Sequence, residues 1–454
     1  MTFATDSQPQ TCDIFCNVID NYGDIGVCWR LARQLAHEHG LSVRLWVDDL
    51  GSLAKLCHEA DATRDIQHCR GVEVRRWCES GNQPTLRYLS PNGDEEAIRP
   101  AELVIEAFAC KLPKSYIEAM AAQQQSVWIN LEYLSAEDWV HGCHGLPSPH
   151  PGLPLTKYFF FPGFTSQTGG LLLEHDLLAR RDAFQNDAAQ QQAFWQSLGM
   201  EMPGAEILKI SLFGYENAAL AGLFDVWASG AQPMLCLVPE GRILPQVEQY
   251  FADAGRDSSL HAGTSYCRGE FIRPWADKSA PTESLPMDRM VQAIPKQATG
   301  CVGINPDLRR GNLQVRVLPF VEQERYDELL WACDVNVVRG EDSCVRAQWA
   351  AKPFLWQIYP QHDAVHWQKL QAFLNLYCAP LSTVASQAMR DLWRAWNSGG
   401  EAGQSWPAFA AARGELNEHA QHWARQLAEN NLALNLLDFS QKIGRMRALK
   451  IEGQ

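Results

Sequence analysis

Three things are scarce in this sequence: positive charge, long apolar runs and any pattern in its cysteines. Thirty-nine Lys and Arg face 53 Asp and Glu, giving a formal net charge of −14. A general nucleic-acid binder carries a basic stripe that neutralises phosphates, so the balance disfavours that class. No stretch approaches the ~20 consecutive apolar residues that span a bilayer. No basic amphipathic segment suggests a membrane-facing surface either. The opening Met1-Thr-Phe-Ala-Thr-Asp-Ser-Gln has neither a positive n-region nor an apolar h-region, and so does not read as a secretion signal. The 14 cysteines are scattered, and Cys16, Cys110, Cys236 and Cys333 lie inside apolar runs. They read as small core residues in a reducing compartment, which makes a cytoplasmic location the expectation. His141, Cys143, His144 and His150 cluster in HGCHGLPSPH. Their spacing matches no common zinc finger, and Gly and Pro mark the segment as a loop, so no metal is expected.

Hydrophobic residues at 46% and charged residues at 20% are ordinary for a folded chain, and 454 residues suit two domains. Short apolar runs alternate with helical periodicity: CDIFCNVI (12–19), a helix through Val27, Cys28, Leu31, Ala32 and Leu35, SVRLWV (42–47), VEVRRW (72–77), LVIEAF (103–108) and SVWINL (126–131). A second alternating set begins at EILKISLFGY (206–215) and continues through PMLCLVP (233–239), VRVLPF (315–320), DVNVV (334–338) and PFLWQIY (353–359). Such alternation predicts parallel sheets covered by helices on both faces. The run 142–202, with LPSPHPGLP and KYFFFPGF, breaks the rhythm and reads as a connection. The expected organisation is an N-terminal Rossmann-like domain over 1–175, completed by a helix at 431–454, a connection at 176–202, and a second Rossmann-like domain over 203–430. An irregular stretch at 254–313, rich in Gly, Ser, Pro and Arg, interrupts the second domain.

Ligands in open α/β sheets collect beyond the carboxyl ends of strands, at helix N-termini with free N–H groups. Two strand-to-helix junctions are unusually polar. Asp20-Asn-Tyr-Gly-Asp24-Ile-Gly26 has two glycines but no GxGxxG fingerprint. Its two carboxylates would repel a pyrophosphate and suit a cationic acceptor or a proton; an ordinary Asp/Gly turn, with Asp24 near the helix dipole, is the bland alternative. Arg339-Gly-Glu341-Asp342-Ser343 follows an apolar strand. There Gly340 permits a sharp turn, Ser343 and the helix-start amides could hold a diphosphate, and Glu341 faces the cleft. An Asp/Ser cap accounts for part of that run but not for all of it. Aromatic groups lie at matching strand ends: Phe213 and Tyr215, and Phe320 with Gln323.

The segments DNYGDIGVCWRLARQL, VIEAFACKLP, NLEYLSAEDW, KYFFFPGF, PFVEQERYDELLW and VVRGEDSCVRAQWAAKPFLWQIYPQ together make the chain resemble the bacterial elongation factor P arginine rhamnosyltransferases. The resemblance runs through most of the chain, although the 254–313 stretch is longer than the family pattern. It implies a GT-B fold, two Rossmann-like domains facing across a cleft. It also implies dTDP-β-L-rhamnose as donor, an arginine of elongation factor P as acceptor, and inverting transfer without a metal or other cofactor. By position, Asp20 is implied as general base, Asp24 as its partner acid and Glu341 as the carboxylate from the opposite domain. Phe320, with Gln323 beside it, corresponds to the ring that stacks on thymine. Tyr215, Asp342, Ser343 and Tyr359 correspond to donor-binding positions. Rival readings are a GT-B enzyme for another nucleotide sugar or acceptor, a nicotinamide dehydrogenase, disfavoured by the incomplete glycine fingerprint, and a non-catalytic module that binds a translation factor.

Overall fold

A computed structural model describes residues 9–20, 22–80, 83–85, 99–257, 307–360 and 365–452. Most of the irregular 254–313 stretch lies outside the described residues. Two separate sheets carry the architecture, and the most buried strands are the continuous apolar runs. All five residues of Leu103–Ala107, Val127–Leu131 and Val335–Arg339 are buried, which fits strands covered on both faces.

The first half contains β1 (Thr11–Cys16), β2 (Ser42–Val47), β3 (Ile66–Cys69), β4 (Val72–Arg76), β5 (Cys78–Ser80), β6 (Gln83–Thr85), β7 (Leu103–Ala107), β8 (Val127–Leu131), β9 (Pro147–Pro149) and β10 (Thr156–Phe160). Its helices are α1 (Gly23–His37), α2 (Leu50–Leu56), α3 (Lys114–Gln123) and α4 (Trp139–Cys143). The sheet order is β3-β4-β2-β1-β7-β8-β10-β9, with β3 and β9 antiparallel at the edges and β5-β6 forming a separate hairpin. The six parallel strands, numbered as they occur, run 3-2-1-4-5-6, the doubly wound order of a Rossmann sheet. KYFFF is therefore a sheet strand, β10, paired in parallel with β8, and not connecting chain. Flanking prolines and unbroken aromatics hid its strand character.

The second half contains α5 (Leu177–Asn186), α6 (Ala188–Ser197), β11 (Leu208–Leu212), α7 (Leu220–Ser229), β12 (Met234–Pro239), α8 (Leu244–Asp257), β13 (Leu308–Arg310), β14 (Leu313–Leu318), α9 (Gln323–Ala332), β15 (Val335–Arg339), α10 (Gly340–Trp349), β16 (Phe354–Gln357), α11 (Val365–Tyr377), α12 (Thr383–Ser398), α13 (Ala402–Leu427) and α14 (Leu432–Glu452). Its sheet order is β13-β14-β12-β11-β15-β16, parallel apart from β13. Residues 176–202 are not bare linker: Leu177, Phe184, Phe194 and Trp195 of α5 and α6 bury into the second half's core. The chain then returns, and Leu432, Ala433, Leu436, Leu437 and Ile443 of α14 pack into the core under the first sheet.

Each sheet reverses its winding at one place, between β1 and β7 in the first and between β11 and β15 in the second. At such a reversal the adjacent loops diverge and leave a crevice. The loop after β1 carries Asp20, and the loop after β15 leads directly into Gly340, Glu341 and Asp342. Both polar junctions singled out in the sequence thus sit at switch points.

Candidate active site

The loop after β1 is pinned by an acid from its own helix. Asp24, in the first turn of α1, accepts the backbone N–H groups of Ile19 and Asp20, each at 2.8 Å. The Tyr133 hydroxyl faces the same carboxylate and favours its ionised form. Burial nonetheless raises the Asp24 pKa above the usual carboxylate value, despite the two amides. Asp20 is left to face the second half. Tyr215, on the loop after β11, donates its hydroxyl to Asp20 Oδ2 at 2.7 Å, and Arg339 Nη1 lies 3.5 Å from Asp20 Oδ1. The approach is close enough to demand glycine on both sides. A Cβ at Gly23 would lie 2.8 Å from Asp20 Oδ2, and one at Gly340, whose φ is +62°, would lie 3.2 Å from the same atom.

Two cavities meet here, sharing Gly23 and Gly340 as common wall. The first is lined by Tyr22, Phe213, Phe320, Gln323, Arg339, Asp342 and Ser343, among others. It holds only about 50 Å³, too little for a nucleotide. Tyr22 accounts for part of that: its ring centroid lies 4.9 Å from that of Phe320, on the aromatic surface a base would need. The second cavity, of about 170 Å³, is lined by all three candidate carboxylates, Asp20, Asp24 and Glu341, with Phe108, Tyr133 and Lys369.

The nine residues singled out in the sequence therefore divide. Phe320, Gln323, Asp342 and Ser343 line the first cavity. Asp20, Asp24, Glu341 and Tyr359 line the second. Tyr215 is buried beside Asp20 and meets the Tyr359 ring edge-on at 5.7 Å. Tyr359 thus stands on the carboxylate side, away from Phe320. Gln323 bonds the Gly26 carbonyl through Nε2 at 3.0 Å, so its amide is already engaged across the two halves. Asp342 accepts Arg30 Nε at 2.9 Å, again from the opposite half.

Arg339 carries a role that sequence reasoning did not assign. It is 3% exposed, and its guanidinium carbon lies 4.6 Å from the ring centroids of both Phe213 and Tyr215. Among the described residues, its Nε and Nη2 have no hydrogen-bond partner. Two unsatisfied buried N–H groups on a cation, lining a cavity at the N-terminus of α10, suit an anion. The signal was present as an arginine closing an apolar strand before a glycine. Phe108, Tyr133 and Lys369, from three distant segments, gave no local signal. The His141–His150 cluster is used structurally: His144 Nδ1 accepts the Phe161 N–H at 3.1 Å, and His141 Nε2 lies 3.1 Å from Thr165 Oγ1. Among the described residues, no group of three or more His, Cys, Asp or Glu could hold a metal ion.

Glu341 is the most perturbed acid of the site. Its Oε2 accepts the Leu134 N–H at 2.9 Å, yet burial pushes its pKa to about 8 against the attraction of Lys369. A carboxyl whose folded pKa lies above its unfolded value stabilises the fold below the unfolded pKa, and that stability is lost as pH rises through the folded one. Stability should therefore fall between about pH 4.5 and pH 8. Glu341→Gln, which mimics the protonated acid, should flatten that slope in melting temperatures measured across the range. An unchanged slope in the variant would mean that Glu341 does not titrate there.

Two Rossmann-like sheets facing each other across their switch points, with an anion-suited cavity adjoining one lined by carboxylates, define a glycosyltransferase of the GT-B type. The family profile described as "Elongation-Factor P (EF-P) rhamnosyltransferase EarP" matches residues 12–441, and the chain belongs to that family. A protein-arginine rhamnosyltransferase of Pseudomonas putida is 48% identical over 433 residues, covering 94% of this chain and 98% of that protein. A protein of the same name from Pseudomonas aeruginosa is 44% identical, again with 94% and 98% covered. A solved structure described as "Structural basis for EarP-mediated arginine glycosylation of translation elongation factor EF-P" shares 36% identity at a TM-score of 0.58, covering 95% of this chain and 99% of that one.

Proposed function

We propose that the protein transfers L-rhamnose from dTDP-β-L-rhamnose to an arginine side chain of elongation factor P, with inversion at the anomeric carbon and without a metal. The observation that carries this reading is the position of Asp20, which lines the second cavity against Gly23 and Gly340, the wall it shares with the first. One cavity offers Phe320 for a base and, on Arg339 and the start of α10, donors for a diphosphate. The other offers carboxylates and aromatic rings for a guanidinium.

A guanidinium has a pKa above about 12 and is a poor nucleophile while protonated. Carboxylates can orient it through paired hydrogen bonds and take its proton as the C–N bond forms. In the proposed step a guanidinium nitrogen attacks the anomeric carbon from the carboxylate side. The bond from that carbon to the diphosphate oxygen breaks on the opposite side, and the proton passes to Asp20. Negative charge gathering on the departing diphosphate meets Arg339 and the amides of α10, while Asp24 and Glu341 hold the guanidinium. Attack and departure on opposite faces invert the centre.

Among the described residues no helix is long and apolar enough to cross a membrane. Buried free thiols such as Cys12, Cys28 and Cys236 support action in a reducing compartment, the cytoplasm.

The test is the intact mass of unmodified elongation factor P after incubation with the enzyme and dTDP-β-L-rhamnose. A gain of one deoxyhexose, abolished when the acceptor arginine is replaced by lysine, is the expected result. No gain with folded enzyme and intact donor would overturn the donor or the acceptor, and other nucleotide sugars would then be tried on the same protein.

A further inference from the structure

The cation-suited cavity already contains a cation. Lys369, from α11, lines it together with Asp20, Asp24 and Glu341, and among the described lining residues it is the sole positively charged one. Its Nζ lies 5.5 Å from the Tyr133 ring centroid, within the range at which an aromatic face attracts an ammonium group. The Tyr133 ring is held by stacking on Phe108, with centroids 4.5 Å apart and planes 17° from parallel, and its hydroxyl faces Asp24.

Holding Phe108 there requires unusual backbone. Phe108, Ala109 and Lys111 have φ of +57°, +54° and +55°, the left-handed region that non-glycine residues occupy at a steric cost. Side chains of the neighbouring strands secure the turn: Asn130 Oδ1 accepts the Ala109 N–H at 3.1 Å, and Glu106 Oε1 accepts that of Lys111 at 3.3 Å. Strain of this kind persists where the surrounding structure over-determines it, and it gathers at ligand clamps.

We infer that Lys369 is a resident counter-cation of the acceptor cavity, its ammonium occupying the face of Tyr133 and screening Glu341 until a guanidinium replaces it. The inference rests on the acceptor reading given above. It gives the acids of this small cavity one positive charge among them in the empty enzyme. It also bears on selectivity. A planar guanidinium gains ring stacking and paired hydrogen bonds when it displaces the ammonium, whereas a lysine acceptor exchanges like for like.

The experiment compares full-length wild type with Lys369→Met and Lys369→Arg. It reads the acceptor KM in the transfer assay and, separately, the binding of methylguanidinium by quenching of Trp356, which lines the same cavity. With Lys369→Met, the acceptor KM and the methylguanidinium Kd should both fall about three- to ten-fold, because no occupant has to be displaced. With Lys369→Arg both should hold or rise, since a guanidinium is the stronger occupant. A rise or no change in Lys369→Met would overturn the inference, as would a fall of equal size in both variants, which would show that charge is not the cause. Should wild type transfer nothing to the acceptor, the functional reading fails on its own, and the methylguanidinium binding still decides the role of Lys369.

Discussion

Asp20→Asn should lower kcat by about 10²- to 10⁴-fold, the span that removing a general base typically costs. Asparagine is nearly the same size and keeps an oxygen that can accept the Tyr215 hydroxyl, now 2.7 Å from Asp20 Oδ2. The loop geometry is also insured independently, because the Asp20 backbone N–H is tied to Asp24 and not to its own side chain. The variant should therefore fold normally and bind nucleotide, losing only the capacity to take a proton. Single-turnover glycosylation followed by mass spectrometry, with circular dichroism as the folding control, measures this. Turnover within a few-fold of wild type would remove Asp20 from the role of base and leave Asp24 or Glu341 as the candidate.

Arg30→Met should be the most damaging single change to stability. Arg30 is 2% exposed and reaches from α1 into the second half, donating to Asp342 at 2.9 Å and to both oxygens of Asp327 at 3.1 and 3.2 Å. Arg346 binds Asp327 at 2.9 and 2.7 Å and Glu174 at 2.7 Å, closing a network of two arginines and three acids. Burial would raise the Glu174 pKa, yet Arg346 and Arg30 together hold it well below the usual carboxylate range. At Asp342 burial wins, and its pKa rises even with Arg30 in contact. A methionine of similar length fills the space but leaves buried acids with half their counter-charge. Breaking such a network costs about 3–5 kcal/mol. For units of this size that is a fall in melting temperature of roughly 6–20 °C. A fall below about 2 °C would indicate that solvent or Arg346 compensates, and that the network contributes little to holding the halves together.

The parts of the site legible in the sequence were those built from contiguous residues. Asp20 and Asp24 lie four apart in one loop, and Arg339 through Ser343 form one run, so their polarity after an apolar strand was visible without knowing the fold. The Rossmann alternation was legible for the same reason, because fully buried strands leave unbroken apolar runs. Phe108, Tyr133 and Lys369 were not, since each looks like an ordinary core or surface residue in its own segment. The doubly wound order, which sets β7 and β8 beside β1, brings Phe108 and Tyr133 to the cavity, and Lys369 arrives from α11 of the other half. Tyr22 was concealed differently. It sits within the DNYGD run, but its contact with Phe320 depends on how the halves meet, a relation no local pattern encodes. The resemblance to a known family supplied roles, such as the stacking ring, that residue chemistry alone would have left open.

The setting of Asp20 is assembled from both halves of the molecule: Asp24 fixes its backbone from one side, while Tyr215 and Arg339 hold its carboxylate from the other. In the proposed reaction this is a safeguard against waste. A nucleotide sugar lying in an opened cleft would meet abundant water, but the acid able to activate that water would be without half of its setting. Readiness for chemistry then belongs only to the arrangement in which the halves meet, and a donor held apart from it would be spared hydrolysis.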